Sequence, residues 1–172
     1  MTALTNPLSV DRGVLWVGAS PPPDGRGIAL TPDHLALHDI DVDPKLVPWS
    51  DVRGLTVVVE VSRWRRPALA SWTLGMLGAA IDIFSPGLPD DVDLRIETAS
   101  GQIEHTANAH NRGGYPKNKV DALIAFLDLL VVDGGVRASL SSPDTVREAF
   151  GRASEAVNRG ESPTRVLLSL VT

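Results

Sequence analysis

The residues best placed to do chemistry run from Asn108 to Lys119, in the order Asn108-Ala109-His110-Asn111-Arg112-Gly113-Gly114-Tyr115-Pro116-Lys117-Asn118-Lys119. Gly113 and Gly114 let a ligand approach the backbone closely, and Arg112, Lys117 and Lys119 supply positive charge. The segment lies between a strand and a helix start, where free N–H groups can cradle an anion. Its spacing is neither the G-x-x-x-x-G-K-[ST] of a phosphate loop nor the G-x-G-x-x-G of a dinucleotide fold. A turn with a solvated basic rim is the competing reading.

Other constellations fall short of a reaction. His34 and His38 share one face of a strand but sit about 13 Å apart at roughly 3.3 Å per residue, too far to hold one ion. His105 and His110 flank the end of a hairpin, and two imidazoles do not complete a coordination set. The runs Asp39, Asp41, Asp43 and Asp90, Asp91, Asp93 do not continue into a calcium-loop pattern. Ser62, Ser71, Ser85 and Ser100 lack the G-x-S-x-G setting of an activated nucleophile. The 172 residues include no Cys, which removes disulfides, thiol catalysis, iron–sulfur ligation and Cys-based zinc sites. No enzyme activity, metal or cofactor is expected.

A second candidate region is built for contact. Arg63-Trp64-Arg65-Arg66 is followed by Pro67 to Phe84, PALASWTLGMLGAAIDIF, interrupted only by Ser71, Thr73 and Asp82. Arg and Trp beside apolar surface suit a lipid headgroup layer, which makes Arg63, Trp64, Arg65, Arg66, Trp72 and Met76 candidate interface or lipid contacts. The run is shorter than the roughly 20 residues of a membrane span. It reads as an apolar, helical insertion within the protein, with a membrane-surface contact or a subunit interface as the alternatives. The net charge of −5, from 16 basic and 21 acidic residues, argues against a general nucleic-acid partner. Met1 to Val10 shows no basic stretch leading into an apolar one, so a cytoplasmic location is expected.

The elements that must position these residues divide the chain. With 15 Gly and 13 Pro, turns are abundant. Short strands are expected at Gly13–Gly18, Gly27–Leu30 and His34–His38. A loop through Asp41, Asp43 and Pro44 then leads to Val47-Pro48-Trp49. A longer strand places Leu55, Val57, Val59 and Val61 on one face. Trp16 and Trp49 are expected in the core. Val92, Leu94 and Ile96 alternate with Asp93, Arg95 and Glu97, and a turn at Ala99–Gln102 returns the chain through Ile103, His105 and Ala107. From Lys117 to Val132 the period becomes helical, with apolar residues nearly all round, so this helix must be covered on most sides. A second helix opens at Ser142-Pro143, with Ser142 as its cap, and stops at Gly160. Glu148–Arg152 and Glu155–Arg159 are expected to pair along it. The tail through Val166-Leu167-Leu168 is too apolar to hang free. The resulting fold class is α+β, an antiparallel barrel or strongly bent sheet of about seven strands with C-terminal helices.

That order resembles the pleckstrin-homology-like barrel. The wording Gly27-Ile28-Ala29-Leu30-Thr31-Pro32-Asp33-His34-Leu35-Ala36-Leu37, then Val47-Pro48-Trp49-Ser50-Asp51-Val52, is similar to bacterial members of that superfamily. The resemblance implies a single domain with a barrel and capping helix over 12–132 and a helical extension over 133–172. The loop Ala19–Arg26 carries only one base, so inositol-phosphate recognition is not implied. The resemblance implies instead a non-catalytic module for protein–protein association or self-assembly, with homo-oligomers included. Surplus apolar surface at 67–84, 117–132 and 166–171 points the same way. Membrane-surface binding through 63–84 and anion binding at 112–119 are the alternatives.

Overall fold

The computed structural model describes residues 6–19, 25–59, 91–108 and 114–170. Its strands are β1 (Leu8–Asp11), β2 (Val14–Val17), β3 (Gly27–Leu30), β4 (His34–Asp39), β5 (Val42–Pro48), β6 (Val52–Val59), β7 (Asp91–Thr98) and β8 (Gly101–Asn108). Four helices follow, α1 (Lys117–Val132), α2 (Gly134–Ser139), α3 (Pro143–Asn158) and α4 (Pro163–Leu168). The class is α+β with C-terminal helices. The eight described strands form two antiparallel sheets, β1-β2-β3-β4-β5 and β6-β7-β8, and no closed barrel is formed among them. The insertion at 67–84 lies outside the described residues.

Alternation fixes which face of each sheet is dry. In the first sheet Leu8, Leu15, Val17, Ile28, Leu30, Leu35, Leu37 and Val47 are buried in the main core. In the second, Val92, Leu94 and Ile96 are buried between exposed Asp93, Arg95 and Glu97, as the sequence pattern requires. Two strands depart from expectation. β1 was not foreseen, although Leu8 and Val10 alternate before an Arg12-Gly13 turn in which both residues have positive φ (49° and 76°). Such a turn matches the twist of a two-residue hairpin. The stretch through Asp43 and Pro44, expected as a loop, lies within β5. It tolerates two prolines because among the described strands it is an edge, paired with β4 and bulged opposite His38.

One short crossover links the sheets. A 3-10 turn at Trp49–Asp51 carries the chain from β5 directly into β6. Trp49 is buried, and its indole N–H donates to the Thr31 carbonyl at 2.8 Å. Thr31 in turn clamps the β3–β4 turn, its hydroxyl donating to the His34 carbonyl at 2.7 Å. Trp16, expected in the same core, lies instead on the opposite face of the first sheet. There it forms a separate small cluster with Ala29 and Ala36, because residue 16 is in register with 29, and 29 with 36.

The helices cover one another. α1 packs on β6, α3 and α4, which buries Val120, Ala122, Leu123, Phe126, Leu127, Leu129 and Leu130. Phe126 meets Phe150 of α3 edge-on, with ring centroids 6.5 Å apart. Leu167 of α4 is likewise fully buried, while Ile124 and Val132 of α1 and Leu168 of α4 stay exposed. Asp133 ends α1 and also starts α2, accepting N–H bonds from Gly135 and Val136. Arg137 donates to the last α1 carbonyls, Leu130 and Val131, at 2.9 and 3.1 Å. Ser142 occupies the cap position of α3 without making a side-chain cap bond. The expected Glu148–Arg152 and Glu155–Arg159 pairs are replaced by Arg147–Asp144 and Arg159–Glu161.

Candidate functional site at the loop end

The described residues Ala19, Val59, Asp91 and Asn108 lie at one end of the two sheets, as the register and the bonds between the sheets show. Asn108, the last residue of β8, is opposite Asp91, and the next pairs join Val92 to Ala107 and to Val59. Asn108 also ties this end to the first sheet. Its N–H donates to the Arg26 carbonyl (3.2 Å), and its carbonyl accepts from the N–H of Ala19 (2.8 Å). Gly18 makes this approach possible. A Cβ there would lie 2.5 Å from the Asn108 carbonyl oxygen, and its φ is +78°.

The polar groups at this seam form one cluster. His105 projects from the core-facing side of β8, between Ile103 and Ala107, and its Nε2 lies 3.2 Å from the Gly27 carbonyl at the start of β3. Gly27 is in register with His38 on β4. The His38 ring stands 5.0 Å from that of Trp16, tilted by 58°. Arg26 Nε donates to Asp39 Oδ1 at 3.1 Å, and the same oxygen accepts the N–H of Ile40 at 2.8 Å. That backbone N–H, aided by Arg26, holds the Asp39 carboxyl below its usual pKa. Burial lowers the His38 pKa, and repulsion from His105 adds to it. Burial also lowers His105, against opposing hydrogen bonds to the Gly27 and His38 backbones and the pull of Asp39. Among the described residues no group of three or more His, Cys, Asp or Glu is arranged to hold a metal ion.

Beside this cluster the β4–β5 hairpin exposes apolar side chains. Ile40, Val42 and Leu46 are 46%, 67% and 55% exposed. The backbone edge next to them, unpaired among the described strands, is poor at accepting another strand. Trp49 N–H donates to the Asp33 carbonyl, so by ladder alternation residues 47 and 45 also turn toward β4 while 46 and 48 face outward. Residue 48 is proline, and Pro44 likewise has no N–H. The edge therefore offers the Leu46 N–H between two prolines, a pattern that blocks strand addition and leaves side chains as the means of contact.

The residues singled out by sequence are not gathered here. Arg63, Trp64, Arg65, Arg66, Trp72 and Met76 lie outside the described residues, as do Arg112 and Gly113. Gly114 precedes α1 with φ +72°, and Tyr115 is buried. Lys117 Nζ donates to Asp121 at 2.6 Å, whereas Lys119, two residues on and so on another side of the helix, has its pKa lowered by burial. Sequence reasoning missed the His38–His105 pairing. The Thr31–Asp33 turn could have placed His38 beside Gly27, but nothing local places β8 against β3.

No family model, curated protein or solved structure matches the chain. No helix among the described residues is long and apolar enough to cross a membrane.

Proposed function

We propose that the chain is a non-catalytic, pleckstrin-homology-like module that associates with proteins, its own copies included, through the β4–β5 hairpin. The likeness is supported by the order of elements: an antiparallel meander, a crossover at Trp49–Asp51 into a three-stranded sheet, then a helix packed on β6. The observation that carries the association is the grouping of Ile40, Val42 and Leu46, all exposed, on one proline-guarded hairpin. Isolated exposed apolar residues are ordinary, but a group on one projecting element favours an interface. The other exposed large apolar residues among the described ones, Ile124, Val132 and Leu168, are divided between α1 and α4, whereas the hairpin carries its three between residues 40 and 46.

The hairpin's charges favour a mixed contact. Asp39, Asp41 and Asp43 alternate with Ile40 and Val42, followed by Lys45 and Leu46. A partner surface combining apolar pockets with a polar rim fits that alternation. Sedimentation equilibrium tests the self-association directly. Wild-type protein is expected to show mass rising with concentration, and the Val42→Ser/Leu46→Ser variant is expected to remain monomeric. Equal behaviour of the two proteins contradicts the assignment of the hairpin.

A further inference from the structure

We propose that the His38–His105 cluster is a pH-sensitive latch, whose protonation loosens the seam between β3 and β8 at the loop end. The inference is independent of the association reading. Its basis is geometric. Two imidazoles on different sheets meet around one backbone position, Gly27, which is the register partner of His38 and whose carbonyl is bonded to His105. Among the described residues, the other bonds between the sheets at this corner are Asn108 N–H to the Arg26 carbonyl and Ala19 N–H to the Asn108 carbonyl.

The surrounding charges decide the direction. From β3 and the residue before it, Arg26 faces the cluster. From β4 come His38 and Asp39, and from β8 His105. Across the bulge β5 contributes Asp43 and Lys45, flanking the position opposite His38. On β7, Asp93 and Arg95 flank Leu94, the partner of His105, and point to the other face. β2 brings the Trp16 ring, which is buried and whose indole nitrogen has no hydrogen-bond partner among the described residues. Asp39 is the carboxylate that acts on His105, and it is already paired with Arg26. Among the described residues, two new positive charges beside Arg26 therefore meet a carboxylate that is already shared, and the Trp16 side restricts their hydration. Both histidines resist the proton in the closed seam, in keeping with their lowered pKa values. By linkage, acid must favour the open seam over the closed one.

Amide hydrogen exchange on the intact chain tests this, with intrinsic rates corrected for pH. Protection of the Ala19 and Asn108 amides is expected to fall by about tenfold between neutral pH and about pH 5.5, while the Phe126 amide in α1 keeps its protection. The His38→Gln/His105→Gln variant keeps an N–H donor in place of each imidazole and is expected to abolish the pH dependence. Ring-proton titration of wild type by NMR gives a second reading that does not depend on the variant folding. Both histidines are expected to titrate below 6.5, each midpoint depending on the other. Unchanged protection in acid, loss of protection that persists in the double variant, or a histidine titrating at or above 6.5 would each overturn the latch.

Discussion

The helical side and the loop end of this molecule handle their difficult residues in opposite ways. α1 is apolar nearly all round, and the chain covers most of it with β6, α3 and α4, leaving Ile124 and Val132 exposed. The loop end keeps histidines at the rim of the core and leaves Ile40, Val42 and Leu46 open. Excess apolar surface alone is thus a poor guide to an interface. What matters is whether a later segment of the same chain returns to cover it. α3 and α4 do so for most of α1, whereas no described element does so for Ile40, Val42 and Leu46 of the β4–β5 hairpin.

The largest expected effect breaks the covered side. Phe150→Ala removes the edge-on partner of Phe126 from a fully buried site and is expected to cost about 3–5 kcal/mol in denaturant unfolding. A loss below about 1 kcal/mol would mean that α3 is not an integral cover. Next comes the sheet junction at the loop end. Gly18→Ala combines positive φ with a backbone clash against Asn108 and is expected to cost roughly 2 kcal/mol or more. Gly151→Ala, on an open face of α3, is the control and is expected to stabilise slightly.

Acid should sharpen the contrast. His38 and His105 bind protons less readily in the folded chain, so the unfolded chain takes up more protons below about pH 6.5, their unshifted value. Their contribution is complete above that pH and is lost as pH falls through it. Asp39, shifted down, loses its contribution only as pH falls past its own usual value near 3.8, which separates the two windows. Stability measured across pH 5 to 7 is expected to decline toward acid in wild type and to flatten in His38→Gln/His105→Gln. The smallest stability effect belongs to the open hairpin. Val42→Ser/Leu46→Ser should change unfolding by no more than about 0.5 kcal/mol per site while removing association.

Much of the fold was legible from local pattern. The Val92–Glu97 alternation, the helical period from Lys117 and the Pro143 and Gly160 boundaries needed only neighbouring residues. Features set by pairing were not legible in the same way. β5 was obscured because an edge strand accepts prolines that a central strand would reject. Trp16 has an apolar run around it in sequence, and only the register with Ala29 and Ala36 reveals that it faces away from the core. The candidate site was the least legible part. The visible charges lie at 112–119, where Arg112 and Gly113 are outside the described residues and Lys117 is engaged by Asp121. The histidine cluster joins residues 67 positions apart through a sheet-to-sheet contact.

The assignment of the hairpin as the contact surface is tested most directly by site-specific photo-crosslinking. A photoreactive residue is placed at position 42 or 46, and at Val132, an exposed apolar site on α1, as control. The account predicts protein adducts at 42 and 46, lost when Ile40 is changed to Asp, and none above background at 132. Adducts absent at 42 and 46, or equally strong at 132, would contradict it.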